Sequence, residues 1–143
     1  MSSTNWRRVV ASGALWSLVY NLVWGWAWFA FMRREWESAV AVIRQPSPWT
    51  AEVWFLWVVL TAPMGVAIMA YTAGRARPAN AAAVTATAVL WLLLTVPMGV
   101  YSLSQSLPMR VIALDSSVNL VALAAASLAG AWSQREVQLG GEN

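Results

Sequence analysis

The chain contains no cysteine, no histidine and no lysine among its 143 residues. Without cysteine there are no disulfides, thiolate metal sites or cysteine nucleophiles. Without histidine, imidazole haem ligation, the commonest zinc ligand and a Ser-His-Asp triad are excluded. Without lysine, no Schiff base to retinal or pyridoxal can form. Charge of either sign is also scarce, with nine arginines and six acids making up 10% of the sequence. A soluble fold of this length needs more charged surface than that.

What replaces the missing charge is apolar: 59% of the residues are hydrophobic and the mean hydropathy is +0.56. A bilayer supplies the solvent such a chain requires. The pI near 10.2 does not indicate nucleic acid, because the arginines stand singly or in pairs at the edges of apolar runs. That is the placement of helix anchors, so lipid is the expected partner and nucleic acid is not. Arg7 and Arg8 before an apolar stretch resemble the start of a signal peptide. The stretch is too long for one and ends in Trp and Arg, so a retained helix is expected.

Four runs have the roughly twenty residues needed to cross a hydrocarbon core: about 9–32, 49–73, 80–103 and 108–132. The expected fold is all-α, a membrane-spanning antiparallel four-helix bundle forming a single domain over 1–143. After the first span, Trp36, Ala39, Val40 and Ile43 recur at helical spacing. This segment either lies in the membrane interface or continues the first helix. Ser47 and Pro48 read as cap and first turn of the second span. The run Gly74-Arg75-Ala76-Arg77-Pro78 reads as a tight turn.

Arginines divide five to four between the two sides, a weak orientation signal that slightly favours cytoplasmic termini. Arginine as the sole basic type, with abundant Ala and Val, points to a bacterial cytoplasmic membrane, by association rather than physics. Tryptophan is plentiful, with 11 copies. Trp24, Trp26, Trp28, Trp36, Trp49 and Trp54 gather toward the side opposite the termini. The simple reading is an interfacial belt. The sharper one is an aromatic wall, with Trp24 and Trp28 on the face of Asn21, for a quinone, carotenoid or lipid.

One internal repeat stands out. Leu56-Trp57-Val58-Val59-Leu60-Thr61-Ala62-Pro63-Met64-Gly65-Val66 returns as Leu90-Trp91-Leu92-Leu93-Leu94-Thr95-Val96-Pro97-Met98-Gly99-Val100, identical at eight of eleven positions. On consecutive antiparallel helices such copies would be related by a pseudo-two-fold axis in the membrane plane. Each Pro frees a carbonyl four residues earlier, at Val59 and Leu93, for which Thr61 or Thr95 can supply a donor. Gly65 and Gly99 permit close helix approach. The expectation is a pair of hinges or crossing points at Pro63, Gly65, Pro97 and Gly99, with Thr61 and Thr95 as candidate binding residues.

Asp115 is the acid set deepest in a span, and an ionisable residue there is a candidate site by default. The bland alternative is an anchor paired with Arg110. Asp115, Asn119, Ala122, Ala126 and Gly130 share one helix stripe, which directs Asp115 and Asn119 toward protein or a cavity. Asn21, at similar depth in the first span, is placed to hydrogen-bond Asn119. Glu52 enters the second span where a first-turn acid suits the helix dipole.

The passage Ser106-Leu107-Pro108-Met109-Arg110-Val111-Ile112-Ala113-Leu114-Asp115-Ser116, continuing to Asn119 and ending Gly130-Ala131-Trp132, resembles the closing segment of a family of small four-helix bacterial membrane proteins of unknown function. Gly13-Ala14-Leu15-Trp16-Ser17 is similar to that family's opening, without its Tyr. The resemblance implies the four-helix fold and no chemistry; the Pro-Met-Gly repeat departs from the pattern.

These features favour a non-enzymatic accessory, assembly or ligand-binding subunit of a membrane complex, partnered by other subunits or by copies of itself. The alternative is a small oligomeric transporter or channel using Asp115 and the midplane polar residues. No metal site is expected.

Overall fold

A computed structural model describes residues 5–44, 49–73 and 79–139, with side chains left undescribed at 79–80 and 135–139. The expected cap at Ser47-Pro48 and the turn at 74–78 lie outside the described residues. The chain forms α1 (Trp6–Ala27), a π-helical segment (Trp28–Met32), α2 (Arg33–Val42), α3 (Ala51–Ala73), α4 (Ala79–Ser104) and α5 (Met109–Leu139). Four stretches are long and apolar enough to cross a membrane: Trp6–Val42, Ala51–Ala73, Ala81–Ser104 and Met109–Gln134. This is a multi-pass, all-α membrane protein. The segment after the first span continues α1 without a break, which settles the choice left open by its periodicity.

Asn5 caps α1, its side chain accepting from the Arg8 backbone N–H at 3.4 Å. Along the continuous first helix, Trp16, Tyr20, Trp24, Trp28, Met32, Trp36 and Val40 are all buried. They stand at every fourth position. At about 3.6 residues per turn, each four-residue step overshoots the face by roughly 40°. The π segment takes back part of this drift: the Arg33 N–H reaches back to the Trp28 carbonyl, a wider turn that rotates less per residue. The buried ladder winds round the helix from Trp16 to Val40.

The first helix packs mainly against α5 and α3, and α4 packs mainly against α5. Cross-helix bonds set the directions. Ser12 meets Ser133, Trp16 meets Ser127 and Tyr20 meets Asn119, so α1 and α5 are antiparallel. Ser17 bonds Thr61, and a Cβ on Gly13 would strike Val66, so α1 and α3 are antiparallel too. Outward faces, such as Phe55, Leu56 and Leu60 on α3 and Leu92, Leu93, Val96 and Val100 on α4, are exposed and apolar, as lipid contact requires.

The two repeat copies occupy unlike positions. Gly65 is a true crossing point: a Cβ there would run into the Gly13 carbonyl oxygen and lie 3.0 Å from the Trp16 ring. Gly99 is not. Its Cβ would meet only Ile112 Cγ2, at an ordinary 3.8 Å. The expected symmetric pair of crossings therefore holds for the first copy alone, because α3 has α1 laid against its glycine and α4 has no backbone there. Pro63 and Pro97 both sit inside unbroken helices and are exposed.

Candidate functional site

The ladder on the first helix collects the other tryptophans around it. Trp24 stacks on Trp28 at 5.7 Å and meets Trp49 and Trp54 at 5.0 and 4.9 Å in tilted geometry. Trp57 lies 6.5 Å from Trp24, and Trp36 meets Trp49 edge-on at 6.5 Å. Tilted and edge contacts of this kind suit the ring quadrupole and add to area burial. The cluster stands at the end of the bundle opposite the termini, as the sequence suggested for Trp24, Trp28, Trp36, Trp49 and Trp54.

Beside the cluster is a cavity of about 280 Å³. Trp24, Trp36, Trp49 and Trp57 form one wall; α4 contributes Leu94, Thr95, Met98 and Gly99 opposite. α5 closes it with Ile112, Asp115, Ser116 and Asn119. Trp28 is one layer back, buried behind Trp24, and does not reach the cavity. Of the two aromatic residues singled out with Asn21, only Trp24 is a wall residue.

The polar corner has a defined hydrogen-bond order. The Tyr20 hydroxyl donates to Asn119 Oδ1 at 2.6 Å, and the Asn119 amide then turns its N–H toward Asp115 Oδ2 at 3.4 Å. Asp115 Oδ1 is buried and has no hydrogen-bond partner among the described residues. Neither Trp24 nor Trp36 has a partner for its indole N–H among the described residues. Unpaired polar atoms are few in folded proteins, and here three of them belong to residues that line one cavity.

Two pairings that the sequence left open are not formed. Asp115 is not held by Arg110, whose Nη2 donates to Glu35 at 2.9 Å; the five-residue step from 110 to 115 points the two side chains away from each other. Asn21 does not bond Asn119. Its Nδ2 donates to the Ser17 carbonyl and to Thr61 Oγ1, each at 2.8 Å, because Asn21 faces α3 while Tyr20, one residue earlier, faces α5. Tyr20 is the partner that sequence reasoning missed.

Thr61 belongs to a closed network away from the cavity. Its hydroxyl donates to the Val58 carbonyl at 2.7 Å, not to the carbonyl of Val59 that Pro63 frees. Since that hydrogen is used, the 2.8 Å contact with Ser17 has the Ser17 hydroxyl donating. Thr61, Asn21 and Gly65 are thus part of the α1–α3 seam, whereas their repeat counterparts Thr95 and Gly99 line the cavity. Trp91, the counterpart of Trp57, donates to the Ser116 carbonyl at 2.9 Å. Glu52 is exposed at the start of α3, apart from Asp115.

The signal for the cavity was present in the sequence as the every-fourth-residue ladder that includes Tyr20, Trp24 and Trp36. Among the described residues, no group of three or more acids could hold a metal ion. No protein-family model, curated protein or solved structure matches the chain.

Proposed function

We propose that the chain is a non-enzymatic, ligand-binding subunit of a membrane complex that holds a small, largely apolar molecule in the tryptophan-lined cavity. One observation carries this reading: four indoles and the Asp115–Asn119 pair converge on a single cavity of about 280 Å³. Small-molecule sites have this character, mostly apolar walls with a few polar groups that fix orientation, and begin near this size at about 300 Å³. Binding is favoured over catalysis because no hydrogen bond joins Asp115, the one carboxylate among the described lining residues, to any of the hydroxyls that share the lining, Thr95, Tyr101, Ser102 and Ser116. Arginine-only basic usage and the interfacial tryptophans suit a bacterial cytoplasmic membrane.

The test is native mass spectrometry of the full chain purified in mild detergent, beside Gly99→Leu. That substitution has room at its Cβ, with Ile112 at 3.8 Å as its one neighbour, and directs a side chain into the cavity. A small molecule retained one per chain by the wild type and absent from a folded Gly99→Leu supports the reading. Equal retention by both proteins, or none by the wild type in any preparation, overturns it.

A second reading, a small oligomeric transporter or channel, is favoured by the same Asp115, since an acid lining a cavity within a span suits a moving proton or cation. Flux of protons or of a cation into liposomes that contain the chain alone, abolished by Asp115→Asn, would favour this reading over the first.

A further inference from the structure

We infer that the ligand of this cavity is an organic cation, seated with its apolar groups against Trp24, Trp36 and Trp57 and its charge beside Asp115. The inference rests on the ligand-binding reading and names the class of ligand.

Charge balance is the first argument. Asp115 is the only carboxylate among the described residues lining the cavity, and no arginine is among them. Among the described residues Arg110 pairs with Glu35 at 2.9 Å and Arg33 with Glu37 at 2.6 Å, and neither Arg34 nor Arg44 lines the cavity. Asp115 retains one long contact from Asn119 at 3.4 Å and an oxygen with no partner. A carboxylate removed from water is tolerated when a counter-charge and hydrogen bonds compensate it. The protein supplies a single weak bond, so for Asp115 to stay ionised here the compensating charge would come from the occupant.

The walls specify what surrounds that charge. Indole is the best of the aromatic faces for attracting a cation, and the attraction is largest where both partners are desolvated. Leu94, Met98 and Ile112 complete an apolar surface that a hydrated metal ion would not use. An anionic ligand would meet Asp115 unfavourably. A zwitterionic lipid headgroup would bring its phosphate against the same carboxylate. A single positive charge carried on an apolar body satisfies both parts of the site. Asn119 is a positioning residue here: the short bond from Tyr20 fixes its amide so that it presents N–H rather than oxygen to Asp115.

The experiment compares two probes of nearly the same shape on the full chain in detergent, by calorimetry against empty micelles. They are methyltriphenylphosphonium, which is charged, and triphenylphosphine oxide, which is neutral. The wild type is expected to bind the cation more tightly by on the order of tenfold or more. Asp115→Asn should remove that preference, bringing the affinities for the two probes together. Should Asp115→Asn fail to fold, the wild-type preference alone decides. Equal binding of the two probes, or a cation preference that survives in a folded Asp115→Asn, overturns the cation assignment and leaves the ligand-binding reading standing. Binding of neither probe overturns the cation assignment, and the ligand-binding reading is then decided by the comparison with Gly99→Leu.

Discussion

Gly13 and Gly65 face each other across the α1–α3 crossing so closely that a methyl group on either would overlap the opposite helix. A Cβ on Gly13 would sit 2.6 Å from Val66 Cα, and one on Gly65 would collide with the Gly13 carbonyl. Both obstacles are backbone, which cannot rotate away. The helices would have to separate, breaking the Ser17–Thr61 and Asn21–Thr61 bonds one turn along.

Gly65→Ala and Gly13→Ala should therefore each destabilise the protein by about 1–3 kcal/mol, the usual range for overpacking. Gly99→Ala, in the second copy of the same motif, should change stability by less than about 0.5 kcal/mol. Reversible unfolding in mixed micelles, followed by circular dichroism, measures all three. Equal losses at Gly65 and Gly99 would restore the symmetric-repeat interpretation and contradict the difference between the copies.

The polar seam gives a second prediction. Thr61→Val removes the acceptor used by Asn21 and Ser17 while keeping the side chain's shape. Interhelical hydrogen bonds in membranes average about 0.6 kcal/mol and reach about 1.7. With two interhelical bonds lost, the bond from the Thr61 hydroxyl to the Val58 carbonyl lost with them, and Asn21 Nδ2 left with Ser17, Thr61→Val should cost about 1–2 kcal/mol. Thr95→Val, exposed to the cavity instead, should leave stability within about 0.5 kcal/mol. The same unfolding assay decides, and a neutral Thr61→Val would show that the network contributes no stability.

Helix number and order were legible because each depends on one local property, an apolar run long enough for the bilayer, bounded by Arg or Pro; the first and last helices run on past their apolar runs, to Val42 and Leu139. The stripe of Ala122, Ala126 and Gly130 was legible for a similar reason, since small residues at helical spacing leave room for a neighbour. Pair identity was not. Tyr20 and Asn21 are adjacent in sequence and face different helices, so depth alone could not say which of them meets Asn119. The repeat misled in the same way: eight identical residues encode the same local helix, but what lies against Gly65 or Gly99 is decided by α1, which packs on α3 and not on α4. The cavity wall required recognising a four-residue ladder, whose drift the π segment between Trp28 and Met32 reduces in part.

The absence of cysteine makes topology directly testable. Single cysteines at Arg44 and Ser104 should be labelled by a membrane-impermeant maleimide from one side of the membrane, and those at Trp6 and Ala73 from the other. The antiparallel order of the four spans requires this grouping, whichever side proves cytoplasmic. Labelling of Arg44→Cys and Ser104→Cys from opposite sides would mean that one of the spans between them does not cross, and would refute the topology.

The final prediction separates Asp115 from its neighbour Arg110. The two are close in sequence and carry opposite charges, yet Arg110 is bonded to Glu35, and Asp115 faces the cavity. The Arg110–Glu35 pair is largely exposed, with the Arg110 side chain 79% accessible, so a double-mutant cycle between them should give about 0.2–1 kcal/mol, falling with salt. The cycle Asp115→Asn with Arg110→Gln should give no coupling, because the groups share no partner and additivity holds for independent sites. Asp115→Asn by itself should fold, since an amide keeps the shape and the carboxylate it replaces accepts only one long bond. Asp115→Leu should behave differently: it removes the acceptor for the Asn119 amide and leaves that N–H unsatisfied next to apolar walls, at about 1–3 kcal/mol. Salt-dependent coupling between Asp115 and Arg110 above about 1 kcal/mol would show that the carboxylate is an anchor for the arginine, and the cavity would then lose the free charge on which its cation preference depends.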